Sequence, residues 1–434
     1  MKDLISLFVP HSSSTTESNK TGSWRFLRPR YDEKRAPCCA ACPAGEDIAR
    51  IEMLTARGLF KEAWETILEE NPFPAVCGRV CFHPCETKCN RREFDEGITI
   101  HVIERFLADT AARNGFKPRL KRFESRNRKV AVLGAGPLGL AAAWFLARLG
   151  YGCDVFESAP EPGGVLRYAT PANRLPVSVL NAEIEQVRGA GFALYCAKPL
   201  TKAFLEEIRG GYDAVFIGCG KSGGEGLPVT GEEVASAERE GAPRLSGSLI
   251  VPGPPVIVYG GVFASHIKSV AHEVATGKEA AIGLDILFQK GPEAVLQDLE
   301  SCRVGDGPSL SMEIYMGGPR CARNRHVVAF SEINIDHFQF APKVAQPGLL
   351  RDESGATPAE IDLRISAGMA EKEAQRCFNC GLCNQCDNCR LYCPDLAVVI
   401  ESGSGKRLID YDHCKGCGIC VVECPRNAMS LEKN

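Results

Sequence analysis

Residues 383–394, CNQCDNCRLYCP, and residues 414–425, CKGCGICVVECP, are two copies of one pattern, C-x2-C-x2-C-x3-C-P. That run is the ligand signature of a two-cluster ferredoxin, in which the fourth cysteine of each copy ligates the other cluster. On this rule Cys383, Cys386 and Cys389 join Cys424 around one [4Fe-4S] cluster, and Cys414, Cys417 and Cys420 join Cys393 around a second. C-x2-C pairs also bind zinc. Two complete runs with Pro394 and Pro425 in register favour iron and sulfur over zinc.

Outward from this stretch, the composition is that of an ordinary globular chain: 434 residues, 44% hydrophobic, 24% charged, enough for two to four domains. A net charge of −3 gives no electrostatic footprint for nucleic acid or an anionic membrane. No apolar run is long enough to span a bilayer, and the start of the chain lacks a secretory h-region with a cleavage site. Of the 22 cysteines, seven crowd residues 38–89 and ten crowd residues 377–424. Clustering of that kind indicates metal binding in a reducing compartment, and the expected location is the cytoplasm.

Residues 1–35 are polar and aperiodic and are expected to form a flexible arm or a strap for a partner. Residues 36–117 read as a small helical domain. Cys38, Cys39 and Cys42 precede a helical pattern; ENPFPAVCGRVCFHPCETKC (residues 70–89) then brings Cys77, Cys81, Cys85 and Cys89, and a helix over 98–112 places Glu104 beside Ile100, Ile103 and Leu107. Two cubane clusters need eight ligands, and seven cysteines leave one position short. A basic linker, 118–128, leads to KVAVLGAGPLGLAAAWFLARLG (129–150), which reads as strand, tight turn and helix with Gly134, Gly136 and Gly139 as a dinucleotide fingerprint. The next strand ends at Glu157, in place for the ribose hydroxyls.

The 70–89 stretch, the G-x-G-x-x-G and PGGVLRYATPANRLP (162–176) together resemble the small-subunit family of glutamate synthase. The resemblance implies an amino-terminal helical domain with two [4Fe-4S] clusters and a flavin domain. One of those clusters takes three cysteines and a Glu or Gln from the following helix, which here implies Cys42, Cys81, Cys85 and Glu104. The other would use Cys38, Cys77 and Cys89, with Cys39 as the leftover candidate. The resemblance also makes the dinucleotide FAD, with Gly163, Gly164 and Arg167 in the flavin-contacting loop and Gly260 and Gly261 in the closing flavin segment. Val262 stands where the family has an Asp for the ribityl chain.

The family inserts a second Rossmann domain for NAD(P)H after a strand matching Tyr212–Gly220. About 35 residues separate that strand from the closing segment, too few for a second nucleotide fold. Residues 224–253 therefore read as a bare connection, residues 129–292 as a shortened FAD domain, residues 293–370 as a connecting segment and residues 371–434 as the ferredoxin domain. Cys377 and Cys380, in RCFNCG, extend the cysteine ladder one step; they are read as binding nothing, an alternative ligand register being the other option.

The expected fold class is thus multidomain α/β. The expected function is an electron-transfer flavoprotein subunit with FAD, four [4Fe-4S] clusters and no acid-base set. Its expected partners are other oxidoreductase subunits or ferredoxin, for instance a 2-oxoacid oxidoreductase. A self-sufficient NAD(P)H:acceptor oxidoreductase and a non-redox scaffold with structural clusters are the alternatives.

Overall fold

The computed structural model describes residues 18–218, 242–261, 269–305, 309–348, 360–403 and 405–434. The protein is a mixed α/β chain built around a six-stranded sheet. In chain order the strands are β1 (Leu27–Tyr31), β2 (Lys129–Leu133), β3 (Gly152–Phe156), β4 (Ala193–Tyr195), β5 (Ala214–Ile217), β6 (Ser248–Val251), β7 (Val256–Gly260), β8 (Val398–Ile400), β9 (Arg407–Ile409) and β10 (Met429–Lys433). The large sheet has the order β4-β3-β2-β5-β7-β6, parallel except for β6, which runs antiparallel to β7. Strands covered on both faces read as unbroken apolar runs. Here β5, AVFI, is buried at every residue.

The helix Pro137–Arg148 follows the glycine turn with proline in its first turn, where the missing N–H costs nothing. It packs against β2 and β3 and against the long helix Val270–Lys290, which itself packs against β6 and β7. A side chain at Gly277 would meet Ala142 N and Leu138 O at 2.8 Å, so the two helices touch backbone to backbone at this glycine. Among the described residues there is no second Rossmann sheet. The stretch read as a bare connection contributes β6 instead, because its apolar residues 248–251 supply an edge partner for β7. Its residues 224–241, like Cys219 and Val262, lie outside the described residues.

The amino-terminal module is a set of short helices closed by Ile100–Asn114, which stops at Gly115 in the left-handed conformation, φ 60°. A Cβ on Gly78 would sit 2.7 Å from Arg105 N. This contact pins the helix Pro74–Val80 against Ile100–Asn114 and sets the cysteines around it beside Glu104.

Residues 27–31 are not a loose arm. They form β1, which pairs antiparallel with β10 from Leu27↔Lys433 to Tyr31↔Met429. Gly22 N also donates to Asp412 O at 2.8 Å, and Gly416, φ 73°, leaves room for the Leu27 carbonyl. The first ferredoxin half pairs β8 with β9, whereas the second half takes its partner strand from the other end of the chain. Residues 1–17 lie outside the described residues.

Candidate functional site

Short turns carry the ferredoxin cysteines into two cavities. Cys383, Cys386, Cys389 and Cys424 line one; Cys393, Cys414, Cys417 and Cys420 line the other. The crossing over of the fourth cysteines expected from the repeat is therefore present in the geometry. Ala397 N lies 3.3 Å from Cys393 Sγ and Ala428 N 3.3 Å from Cys424 Sγ, the same N–H···S contact in both halves. Such contacts to cluster sulfurs tune reduction potential. The strap reaches this site as well: Tyr31 Oη is 3.4 Å from Cys389 Sγ. Burial pushes the Cys383 thiol up to about 11 and the Cys420 thiol up to about 12.

In the amino-terminal module the thiols sort into two groups, and the division differs from the expected one. Cys42, Cys81, Cys85 and Glu104 share one buried neighbourhood, with Glu46 in it. Burial and then Glu46 raise Cys42 well above the usual thiol range, burial and then Cys42 do so for Cys85, and burial and then Glu46 do so for the Glu104 carboxyl. Asn71 Nδ2 donates to Glu46 Oε1 at 2.8 Å and to Glu104 Oε1 at 3.1 Å, fixing both carboxylates. Glu104 is thus buried in the thiol group, not a solvated helix carboxylate. Cys77, expected in the other set, belongs here: burial, Glu104 and Cys81 are what raise its thiol. The reason is local, since Cys77 and Cys81 bracket one helical turn, joined by Cys81 N→Cys77 O at 3.1 Å.

The second group holds Cys38, Cys39 and Cys89 together with Cys377 and Cys380, the pair read from sequence as unengaged. The hydrogen bond from Cys39, then burial, Cys89 and Cys377 raise Cys38; burial and then the buried Glu52 carboxyl raise Cys377, with Cys89 and Cys380 adding to it; burial and then Cys89 raise Cys380. Asn90 Nδ2 contacts Cys380 Sγ at 3.5 Å. Cys39 Sγ, hydrogen-bonded to its neighbour Cys38, also lies 3.9 Å from Asp47 Oδ1. The signal for this grouping was present in the sequence as a shortage of one thiol at one end and a surplus of two at the other.

Around the carboxyl ends of β2, β5 and β7 the glycines converge. Gly134 has φ 103°, and a side chain on Gly139 would collide with the Gly134 carbonyl. Gly163 N donates to Ala135 O at 2.8 Å, which folds the 162–168 loop over the fingerprint, and a Cβ on Gly164 would stand 3.0 Å from Gly136 Cα. Gly260 and Gly261 close the rim against Leu138. A side chain on Gly136 would meet nothing nearer than Gly164 Cα at 4.0 Å, so the space in front of it is an open cradle. Glu157 is buried at the end of β3 and accepts from Ala135 N at 2.7 Å and Ala159 N at 2.9 Å. Arg167 is engaged within its own loop, with Pro162 O at 2.6 Å, Glu161 Oε2 at 3.0 Å and Asn181 as partners. It holds the loop's shape.

Residues 30–116 match the family model for dihydropyrimidine dehydrogenase domain II, 4Fe-4S cluster; residues 132–181 match the NAD(P)-binding Rossmann-like domain; residues 408–430 match the 4Fe-4S binding domain. The chain is 36% identical over 205 residues to the NADPH-Fe(3+) oxidoreductase subunit beta of Geobacter sulfurreducens, covering 46% of this chain and 30% of that protein. It is 36% identical over 241 residues to the NAD-dependent dihydropyrimidine dehydrogenase subunit PreT of Salmonella typhimurium, covering 54% and 58%. It is 32% identical over 220 residues to the NADP(+)-dependent formate dehydrogenase subunit beta of Moorella thermoacetica, covering 46% and 31%. Each of these relatives is named as a subunit of an oxidoreductase or a dehydrogenase. The chain spans between 30% and 58% of the length of these relatives. The Rossmann match falls on the first β-α-β unit, the part that cradles the pyrophosphate of NAD and FAD alike.

Proposed function

We propose that the chain is an iron-sulfur flavoprotein subunit that passes electrons between FAD and [4Fe-4S] clusters within a multisubunit oxidoreductase. FAD is assigned to the cradle of Gly134, Gly136 and Gly139, with Glu157 toward the ribose and the Gly163–Tyr168 loop toward the flavin ring. Clusters are assigned to the two ferredoxin cavities and to Cys42, Cys81, Cys85 and Glu104, where three thiols and a buried carboxyl converge. When bound, a flavin takes up electrons in pairs and releases them singly, the bridge between hydride chemistry and one-electron carriers.

The observation that carries this reading is the joint between the two modules. Glu183, on the helix Val177–Arg188 of the Rossmann domain, accepts from Ala75 N at 2.6 Å and Val76 N at 2.8 Å. The helix that leads to Cys81 is thereby bolted to the dinucleotide domain. The residues also exclude water: Phe73, Val76, Ile103 and Leu138 are all buried in one continuous core.

The partners proposed are other subunits of the oxidoreductase, one at the flavin edge left uncovered by a nicotinamide domain and one, such as a 2-oxoacid oxidoreductase or a ferredoxin, at the carboxy-terminal clusters. Among the described residues no helix is long and apolar enough to cross a membrane. The thiol-rich sites suit a reducing compartment, and the cytoplasm is proposed. The second reading, an NAD(P)H:acceptor oxidoreductase acting alone, draws on the pyridine nucleotides in the names of the relatives.

Stopped-flow mixing of the isolated holoprotein with NADH and with NADPH separates the two readings. A separate domain supplies most of the positioning of nicotinamide in the family this chain resembles, and loss of positioning costs orders of magnitude in rate. Flavin bleaching slower than about 0.1 per second is expected, with fast bleaching only when a partner or a low-potential chemical reductant is added. Bleaching at about 10 per second or faster, an ordinary turnover rate, would establish the second reading.

A further inference from the structure

The second thiol group contains members from both ends of the chain, and nothing in the ferredoxin repeat or in the 30–116 module accounts for that. Cys38 sits on the short helix Pro37–Ala41; Cys89 precedes the turn Asn90–Glu93; Cys377 and Cys380 occupy the loop that leaves the helix Ala367–Gln375. All four are part of, or packed against, one buried core.

The loop is clamped on both sides of its cysteines. Arg91 Nη1 donates to Arg376 O at 2.6 Å, next to Cys377. Asn379, between the two cysteines with φ 49°, donates from Nδ2 to Ala49 O at 2.9 Å, on the helix that follows Cys42. Lys34 N donates to Gly381 O at 2.8 Å, and a Cβ on Gly381 would stand 2.7 Å from the Lys34 backbone. Asn90 Nδ2 reaches Cys380 Sγ, and Asn379 N lies 3.3 Å from Cys377 Sγ. The latter is the same kind of N–H···S contact that His83 N makes with Cys81 Sγ at 3.4 Å and Ala428 N makes with Cys424 Sγ. C-x2-C on a tight turn is a spacing with which two thiolates bind two irons of one cubane.

We propose that Cys38, Cys89, Cys377 and Cys380 are the four ligands of one further [4Fe-4S] cluster, assembled from the two ends of the chain, with Cys39 and Cys77 outside it. The inference rests on the reading of this chain as an iron-sulfur protein and adds to it a ligand set split between modules. Four thiolates complete a cubane without a carboxylate, in contrast to the Cys42, Cys81, Cys85 and Glu104 group. The set also links the two halves. Gly381 N donates to Arg426 O at 2.6 Å and Arg426 Nη1 to Phe378 O at 3.0 Å, so the turn after Cys424 and the Cys377–Cys380 loop share backbone contacts. The buried Arg426 guanidinium stands in the field of Cys377, Cys380, Cys386 and Cys424 together.

The test counts iron and follows its spectrum in the full chain, purified and reconstituted without oxygen. Wild-type protein should carry about sixteen irons, four cubanes. Cys380→Ser and Cys38→Ser should each lose about four, or convert a single cluster to a three-iron form seen by electron paramagnetic resonance. The double variant should lose the same four, because both residues serve one cluster. Cys39→Ser should retain all four clusters. A Cys380→Ser protein with unchanged iron and spectrum, or a double variant missing about eight irons with the ferredoxin signals intact, overturns the inference.

For variants that do not fold, wild-type holoprotein supplies an independent measurement. Residues 360–434, joined to the rest by segmental labelling, would carry carbon-13 at the cysteine β-carbons. All ten cysteines of this segment should show hyperfine-shifted signals; two unshifted signals overturn the proposal. Wild-type protein that takes up no iron at all would remove the underlying reading too, whereas about twelve irons, unchanged by Cys380→Ser, would remove this inference alone.

Discussion

Gly136→Val protein is expected to emerge from purification with its iron in place and its FAD below about a tenth of wild-type occupancy, a loss of more than about 1.4 kcal/mol in binding. The substitution suits the question because it leaves the apoprotein undisturbed. Gly136 has an extended backbone with φ −77°, so valine needs no unusual conformation. The nearest atom to its Cβ is Gly164 Cα, at 4.0 Å. The added methyl groups therefore project into the cradle that the pyrophosphate would occupy, and a phosphate held by backbone N–H groups at a helix N-terminus tolerates no intervening side chain. Flavin released by heat and quantified against iron gives the readout. Full FAD occupancy in this variant would place the dinucleotide elsewhere.

Lys278→Met should destabilise the protein by about 3–5 kcal/mol, the cost of leaving one member of a buried ion pair without its partner. Lys278 and Glu70 have no exposed side-chain surface, and Lys278 Nζ lies 2.5 Å from Glu70 Oε2. The lysine also donates to Ala44 O and to Glu70 O, while Glu70 accepts from Met312 N at 2.8 Å, Glu313 N at 3.1 Å and Arg320 Nη1 at 3.1 Å. One carboxylate thus gathers the amino-terminal module, the long helix of the Rossmann domain and the connecting segment. With the lysine gone, Arg320 is the one ion-pair partner left to Glu70 among the described residues. Denaturant unfolding of the holoprotein should show the loss, and the double variant Glu70→Gln with Lys278→Met should recover part of it, since a neutral pair needs no counter-charge. A loss under about 1 kcal/mol in the single variant would mean that water enters the site and screens the carboxylate.

The parts of this protein that could be read from sequence are those whose ligands or turns are contiguous. The ferredoxin repeat places its own cysteines every third residue, and the crossing of Cys393 and Cys424 follows from that local pattern. The glycine fingerprint announces itself because a strand precedes it and a helix follows. The companions of Cys38 and Cys89 had no such local signature: Asn90 and Cys380, which touch, lie 290 positions apart. The same holds for the strap. Leu27–Tyr31, LRPRY, has a burial pattern with a single buried residue, and its strand identity is conferred by β10. Periodicity reports burial within one element and says nothing about a partner from the opposite end. The Glu70–Lys278 pair was unreadable for a related reason, since charged residues default to the surface unless a distant segment supplies the counter-charge.

The pairing of β1 with β10 also orders events in time. A ribosome releases residues 27–31 long before residues 429–433 exist, so the first strand must wait, unpaired, until β10 has been made. Domains elsewhere can fold as they emerge. Here the ferredoxin module cannot take up its strap until residues 429–433 have been made, so this pairing comes late in the folding of the chain. Stalled or prematurely terminated products would display an unsatisfied strand edge and a half-built thiol nest, the kind of surface that chaperones and proteases recognise.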